Sequence, residues 1–311
     1  PARKRPGTRF VAEVKDSADA TRLIPFEYST TQAYVLEFGD LYIRFYLDGG
    51  VVESSPGVPY EIVSPYTSAQ VAALEYAQSA DVVYITHPDH PPYKLARTSA
   101  LSWTITAVTF AWPPFNDENV GTTTLTASAV TGNITLTASA SLFVSADVGS
   151  YFKISEVSAS KYNQWTTGVS HSSGDIVYYL GNIYQSGTTA AAGSRPPIHT
   201  SGAESDGAVT WTFLHDGAGY AQITGYTSAT LVNATVIKRL PATALTGSTR
   251  WAEGAWSARR GYPHAVTFYE DRLWFAGSTS KPQTLWASVS GDYENHKYGT
   301  NDDDALNYTI N

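Results

Sequence analysis

Apolar and polar positions alternate most cleanly in residues 34–52, "YVLEFGDLYIRFYLDGGVV". Tyr42, Arg44 and Tyr46 fall on one face of a strand, and Ile43, Phe45 and Leu47 on the other, a period of two. Gly39-Asp40 and Asp48-Gly49-Gly50 supply turns, because glycine accepts the positive φ of tight hairpins. The stretch predicts an antiparallel meander. A strand is expected ahead of it over residues 9–14. Behind it, "TSAQVAALEYAQSA" carries helical spacing instead: Val71, Leu74 and Tyr76-Ala77 form an apolar stripe that Thr67 or Ser68 can cap.

Further along, the period stays near two while the composition changes. From about Thr104, "TTTLTASAVTGNITLTASASLFVSADVGSYFKIS" is rich in Thr, Ser, Ala and Val with glycine turns, as in a small β-sandwich or barrel. Residues 161–218 are dense in Gly and Ser with evenly placed aromatics and read as a separate module of short strands. Plain alternation returns in residues 219–250. From Trp251 the aromatic style of the opening resumes. The expected organisation is mostly β: a meander and first propeller blades in 1–100, a sandwich- or barrel-like insertion in 101–160, and a second inserted module in 161–218. Returning strands follow in 219–250, and resumed blades in 251–311.

An internal echo supports the word blade. "SADVVYITHPD" (79–89) and "FYEDRLWFAGS" (268–278) each lead through an acidic residue into three large apolar side chains and leave by a turn. Aligning Asp81 with Asp271 without a gap brings Pro92 onto Pro282 and Leu95 onto Leu285. Either two hairpins share common turn residues by chance, or the chain repeats a strand–turn–strand unit in which proline ends ladder bonding. Repeated units of this kind mark radial β architectures.

Composition narrows the function. The 311 residues suffice for two or three domains. A formal charge of −8 argues against tight nucleic-acid binding through phosphate neutralisation, but suits a wall past which nucleic acid slides. The absence of Cys excludes disulfides and thiolate metal sites. No Met is present, even at position 1, and "DDDALNYTIN" stops as if within a strand, so a processed or partial chain is expected. No apolar run approaches the roughly 18 residues of a membrane span, and no signal peptide is visible.

Candidate chemistry is sparse. His87, Asp89 and His90 sit in a Pro-rich turn without a third histidine in sequence, so a solvated loop is expected rather than a metal site. Asp302, Asp303 and Asp304 lack the spacing of a calcium loop and read as a solvated turn. Glu270 and Asp271 are adjacent, so on a strand they face opposite ways, which rules against acid–base teamwork. "GSTSKP" has no nucleophile elbow around its Ser and Lys. The run Arg3 to Arg5 and the pair Arg259-Arg260 are basic spots that either dock on an acidic neighbour or are simply solvated. No nucleophile, base and orienter can be assembled, so no enzyme, metal or cofactor is expected.

Four phrases are long enough to compare with a known family: "RPGTRFVAEV", "ATRLIPFEYSTTQAYVLEFGDLYIRFYLDGG", "SADVVYITHPDHPPYKLAR" and "FYEDRLWFAGSTSKPQTLWASVSGDY". Over roughly residues 5–100 and 250–311 the chain resembles the tail nozzle, or tail tubular protein B-like, proteins of short-tailed bacteriophages. The resemblance implies a structural virion protein located in the phage tail, with a β-propeller in each subunit. It also implies a ring homo-oligomer, typically a hexamer, below the portal and adaptor proteins, transient DNA in its lumen, and tail fibres or spikes as outer neighbours. Residues 162–215 are similar to small chitin- or cellulose-binding-like domains, through Trp165, "GDIVYYLGNIYQS" and "GAVTWTFL". That second resemblance makes Trp165, Tyr184 and Trp211 carbohydrate-contact candidates, with core packing of a small cysteine-free module as the other reading. It also carries the alternative function, a glycan-binding adhesin for host surface polysaccharide. The absence of a plausible carboxylate pair counts against the cleaving version, a depolymerase.

Overall fold

Strands hold half of the chain and helix only 4%. The computed structural model describes residues 7, 9–29, 32–156 and 161–310. Two units emerge, residues 1–113 with 260–311, and residues 114–259. The second is therefore inserted into the first. Ser102–Ala107 belongs to the first unit and Trp251–Glu253 to the second, so the divisions fall at 113/114 and 259/260.

The first unit is built from three antiparallel meanders. The first runs Arg22–Glu27, Ala33–Gly39, Tyr42–Leu47, with a last rung supplied in two pieces, Gly50–Val51 and Glu61–Val63. The second runs Glu75–Ser79, Val82–His87, His90–Ser99, Ser102–Ala107. The third runs Ala265–Tyr269, Arg272–Ala276, Thr284–Ala287, Leu306–Thr309. A hairpin of each closes through two residues: the second hairpin of the first meander through Asp40-Leu41, and the first hairpins of the other two through Ala80-Asp81 and Glu270-Asp271. Leu41, Ala80, Glu270 and Asp271 have φ of 61°, 48°, 48° and 55°, the left-handed values that two-residue hairpins demand. Counting from these turns, Ile43/Phe45, Val83/Ile85 and Leu273/Phe275 occupy equivalent buried positions. The first meander thus repeats the turn and burial pattern of the echo one strand later, in its second hairpin, with its aspartate one place earlier in the turn.

Two expected elements are absent. Residues 9–14 form no strand. Partners outside a ladder hold this segment instead: Arg9 Nη2 donates to the Gly49 carbonyl at 2.9 Å, and the Lys15 N–H to Glu37 at 3.2 Å. The helix expected at 67–80 is reduced to one 3₁₀ turn, Val71–Ala73, followed by the strand Glu75–Ser79. Val71 and Leu74 are buried, but a spacing of three serves a 3₁₀ turn equally well. The Ala80-Asp81 turn then gives Glu75–Ser79 a complete ladder against Val82–His87.

The first two meanders share a core. Trp103 of the second packs against Phe26, Tyr34 and Phe45 of the first, with ring centroids 4.8, 5.4 and 4.6 Å away. Their first strands are clipped together by Gln78, which donates to the Glu27 carbonyl at 2.8 Å and accepts from the Glu27 N–H at 3.0 Å. The third meander continues the series. Its first strand lies beside Glu75–Ser79, Phe268 meets Tyr84 edge-on, and Glu294 binds Lys94 at 2.5 Å and the Tyr84 hydroxyl at 3.2 Å.

Among the described residues the inserted unit carries two main sheets and a two-stranded pair, Ser170–His171 with Ala190–Ala191. The larger has six antiparallel strands in the order Leu125–Ala127, Asn133–Ala138, Leu231–Lys238, Ala218–Ser228, Tyr151–Ser155, Trp251–Glu253. Leu136, Phe143, Phe152, Ile154 and Val232 fill its core, while its other face shows Thr, Asn and Ser, the alternation expected of a one-sided sheet. The smaller sheet orders Asn163–Gln164, Ile176–Tyr179, Asn182–Ser186, Val209–His215, Ala203–Asp206. Among the described residues no helix is long and apolar enough to cross a membrane.

Candidate functional site

The small sheet was the expected place for ligand chemistry, and it uses its aromatics for itself. Trp165, Tyr184 and Trp211 join Val177, Ala192 and Val209 in one core, with Tyr184 and Trp211 at 0% and 1% exposure. Trp165 meets the Tyr179 ring edge-on at 5.6 Å, and the Tyr184 hydroxyl donates to the His199 carbonyl at 2.8 Å. A ring stacks on a sugar only with an open face, so none of the three serves as a platform. The size of the module explains this: so few residues cannot close a core without their largest side chains.

Beside that core lies a cleft lined by Arg195, Pro196, His199, Glu204, Asp206 and Trp211. Strand register puts Glu204 opposite Trp211 and Asp206 opposite Val209, which aligns both carboxylates with the indole on one face. The Asp206 carboxylate accepts from the Arg195 N–H at 2.9 Å. It also presses on Gly193, where a Cβ would stand 2.2 Å from Oδ1, so only glycine fits. Asp206 Oδ2, Trp211 Nε1 and both His199 ring nitrogens are buried and, among the described residues, have no hydrogen-bond partner. Of these only Trp211 was a sequence candidate; Asp206 and His199 escaped sequence reading because hairpin register and a loop assemble them, not a motif.

The repeat residues separate into those that hold their place and those that do not. Asp81 and Asp271 both sit in first-hairpin turns; Asp81 takes Arg97 as an ion pair at 3.5 Å, and Asp271 accepts from the Tyr293 hydroxyl at 3.0 Å. Pro92 lies inside a strand, buried at a bulge, whereas Pro282 stands exposed in a turn. Leu95 is fully buried opposite Val83, but Leu285 is half-buried opposite Ala276, and Trp286 fills the core against Phe275. The gapless alignment therefore fails beyond the first hairpin, because the loop after Ala276 is longer than the Pro88-Asp89 turn.

The acidic run 302–304 acts through its backbone. Arg272, 7% exposed, donates to the carbonyls of Ser288 (2.7 Å), Asp302 (2.6 Å), Asp303 (3.2 Å) and Asp304 (2.6 Å). A cation does occupy this loop, but it is the chain's own guanidinium. Arg259 remains exposed, but it pairs with the buried Asp147 at 3.3 Å and donates to the Leu142 carbonyl at 3.2 Å. Burial raises the Asp147 carboxyl above its ordinary range despite that partner. Residues 3–5 lie outside the described residues.

Of His87, Asp89 and His90, Asp89 is solvated as expected, while His87 is buried and His90 half-buried. His87 is 4% exposed and its ring lies 5.3 Å from that of His90. Among the described residues no group of three His, Asp or Glu is arranged to hold a metal. One further cluster went unnoticed in sequence. Glu37, fully buried, accepts hydroxyl hydrogen bonds from Tyr42 and Tyr46. Burial, reinforced by that carboxylate, pushes both phenols up.

No family model matches the chain, and no curated protein matches its sequence.

Proposed function

We propose that this chain is a structural subunit of a short-tailed phage tail nozzle, closing with copies of itself into a ring around a DNA channel. The observation that carries the reading is the run of three four-stranded meanders with neighbouring first strands. That is the arrangement of successive blades in a β-propeller, each burying its face against the next. The nozzle-like phrases fall within these meanders and their leads, and the surplus of acidic residues suits a lumen that lets phosphate pass without holding it. On this reading the protein resides in the virion, contacts portal or adaptor proteins on one side, and has no catalytic task. Light scattering with negative-stain class averages at low and high salt tests it. A ring with a central hole, six-fold if the resemblance holds, supports the nozzle; a monomer at every concentration and salt counts against it.

A second reading has one observation of its own. In the inserted module, buried Asp206 Oδ2 and Trp211 Nε1 border the cleft with unmet demand for a donor and an acceptor, which paired sugar hydroxyls would satisfy. Their burial means that the 194–199 segment must shift to admit a ligand. Titrating the full chain with host polysaccharide decides this: saturable binding lost in Asp206→Asn supports glycan attachment, and absence of binding removes it.

A further inference from the structure

The second meander departs from its siblings at one position. Its second strand ends on His87; at the same distance from the corresponding two-residue turn the first meander has Leu47, in its third strand, and the third meander has Gly277. Across the following two-residue turn stands His90, where the first meander has Gly50. The fold accepts an aliphatic side chain or none at these places, so a pair of imidazoles is a feature of this meander and not a requirement of the architecture.

The pair packs on Tyr66, and the turn between its two members reaches the third meander's lead-in. His87 and His90 both contact the Tyr66 ring, at 6.2 and 5.2 Å, and Tyr93 closes the group at 5.8 Å from Tyr66. The Tyr262 N–H donates to the Pro88 carbonyl at 3.2 Å, in the turn between the two histidines. Two residues on, the His264 N–H caps the third meander's first hairpin through the carbonyls of Ala276 and Gly277, at 2.9 and 2.8 Å. The facing charges are few. Asp89, 74% exposed in its side chain, lies 4.0 Å from His87 Nδ1, and His264 opposes a charge on His87. Tyr66, Tyr93 and Tyr262 complete the titratable neighbours, and Gln70 Oε1 accepts from His90 Nε2, 3.1 Å away.

We propose that His87, His90 and His264 form an acid-released latch between the second and third meanders. The geometry at His87 Nδ1 supplies the mechanism. This nitrogen accepts the Asp89 N–H at 3.1 Å, so the neutral ring carries its proton on Nε2. Protonation places an N–H on Nδ1 directly facing another N–H, which breaks the bond that shapes the Pro88-Asp89 turn. It also sets two imidazolium rings side by side with one exposed carboxylate for compensation. The turn then gives up its hold on Tyr262. Burial lowers the proton affinity of both His87 and His90 in the closed form, so protons are taken up preferentially by the open form. Sign and window follow: the latch is closed above about pH 6.5 and loosens as pH falls below it, by up to about tenfold in opening constant per pH unit for each histidine.

Hydrogen–deuterium exchange of the full chain, corrected for intrinsic rates, tests this at pH 7.5 and 5.0. Amides of residues 261–264 should lose protection on acidification by about tenfold or more. His87→Leu, which installs the first meander's residue, should keep the pH 7.5 protection and abolish or strongly reduce the pH response. An unchanged response in His87→Leu, or no response in the parent protein, overturns the latch. Should that variant fail to fold, imidazole C2–H exchange in the parent decides: midpoints at or above about pH 6.5 for both His87 and His90 overturn it.

Discussion

The repeat unit and the inserted module spend their large side chains differently. In the repeat unit, Trp103 fills a space between two sheets, and each sheet covers the next. In the small module, Trp165, Tyr184 and Trp211 cover only the sheet that carries them. A repeat can thus lend aromatics across its joints, while an isolated small sheet must consume them internally. The aromatic content that suggested glycan contact is the same content that made the module fold.

This contrast can be broken at its strongest points first. Trp211→Ala should cost about 3–5 kcal/mol, and exchange should show that loss confined to residues 162–215. Spreading of the effect into the meanders would contradict the division into two units. Arg272→Val writes the second meander's equivalent residue, Val82, into the third. It should cost a similar amount, about 3–5 kcal/mol by denaturant unfolding, because the carbonyls of Ser288 and residues 302–304 lose their cation. A neutral outcome would mean that those carbonyls find other partners at no cost.

Next come the two leucines that the sequence places in register. Leu95→Ala should cost about 2–5 kcal/mol, and Leu285→Ala about 1 kcal/mol or less. Equal losses would restore the gapless repeat. The broadest effect is that of pH, modest per pH unit but cumulative. Burial lowers His296 to about 3 in the third meander, so folded repeat sheets refuse a proton that the unfolded chain accepts below about 6.5. Their stability should fall by up to about 1.4 kcal/mol per pH unit for this residue as pH drops from about 6.5 toward 3. Asp147 in the inserted unit has the opposite sign: its raised value means stability is gained as pH falls through it and lost as pH rises. Burial lowers His215 in the inserted unit too, but the repeat unit holds three such histidines, His87, His90 and His296, so acid should unfold it first in unit-resolved exchange, and the reverse order would contradict these assignments.

Hairpins were legible wherever period two met a turn with a required backbone, as in residues 34–52. The stretch 67–80 misled because Val71 and Leu74 fit a helix as well as a 3₁₀ turn, and the deciding contact, Val82–His87, lies outside it. The matching hairpin of the first meander hid behind a one-strand offset and a one-residue shift of its aspartate. Asp81 and Asp271 were readable as turn residues, whereas Leu285 was displaced by a loop length that spacing does not encode. The roles of Arg272, Arg259 and the Asp206 cleft depend on backbone carbonyls, distant partners and register, none of which leaves a local sequence mark.

The entrance and exit of the insertion stand on neighbouring rungs: the Ala255 N–H donates to the Pro114 carbonyl at 2.9 Å, and Phe115 bridges Gly254. A segment that leaves and re-enters at one spot is a cassette. Selection can swap its contents without rewriting the host chain, and closing residues 115–254 with a short glycine turn should leave amide protection in the three meanders intact.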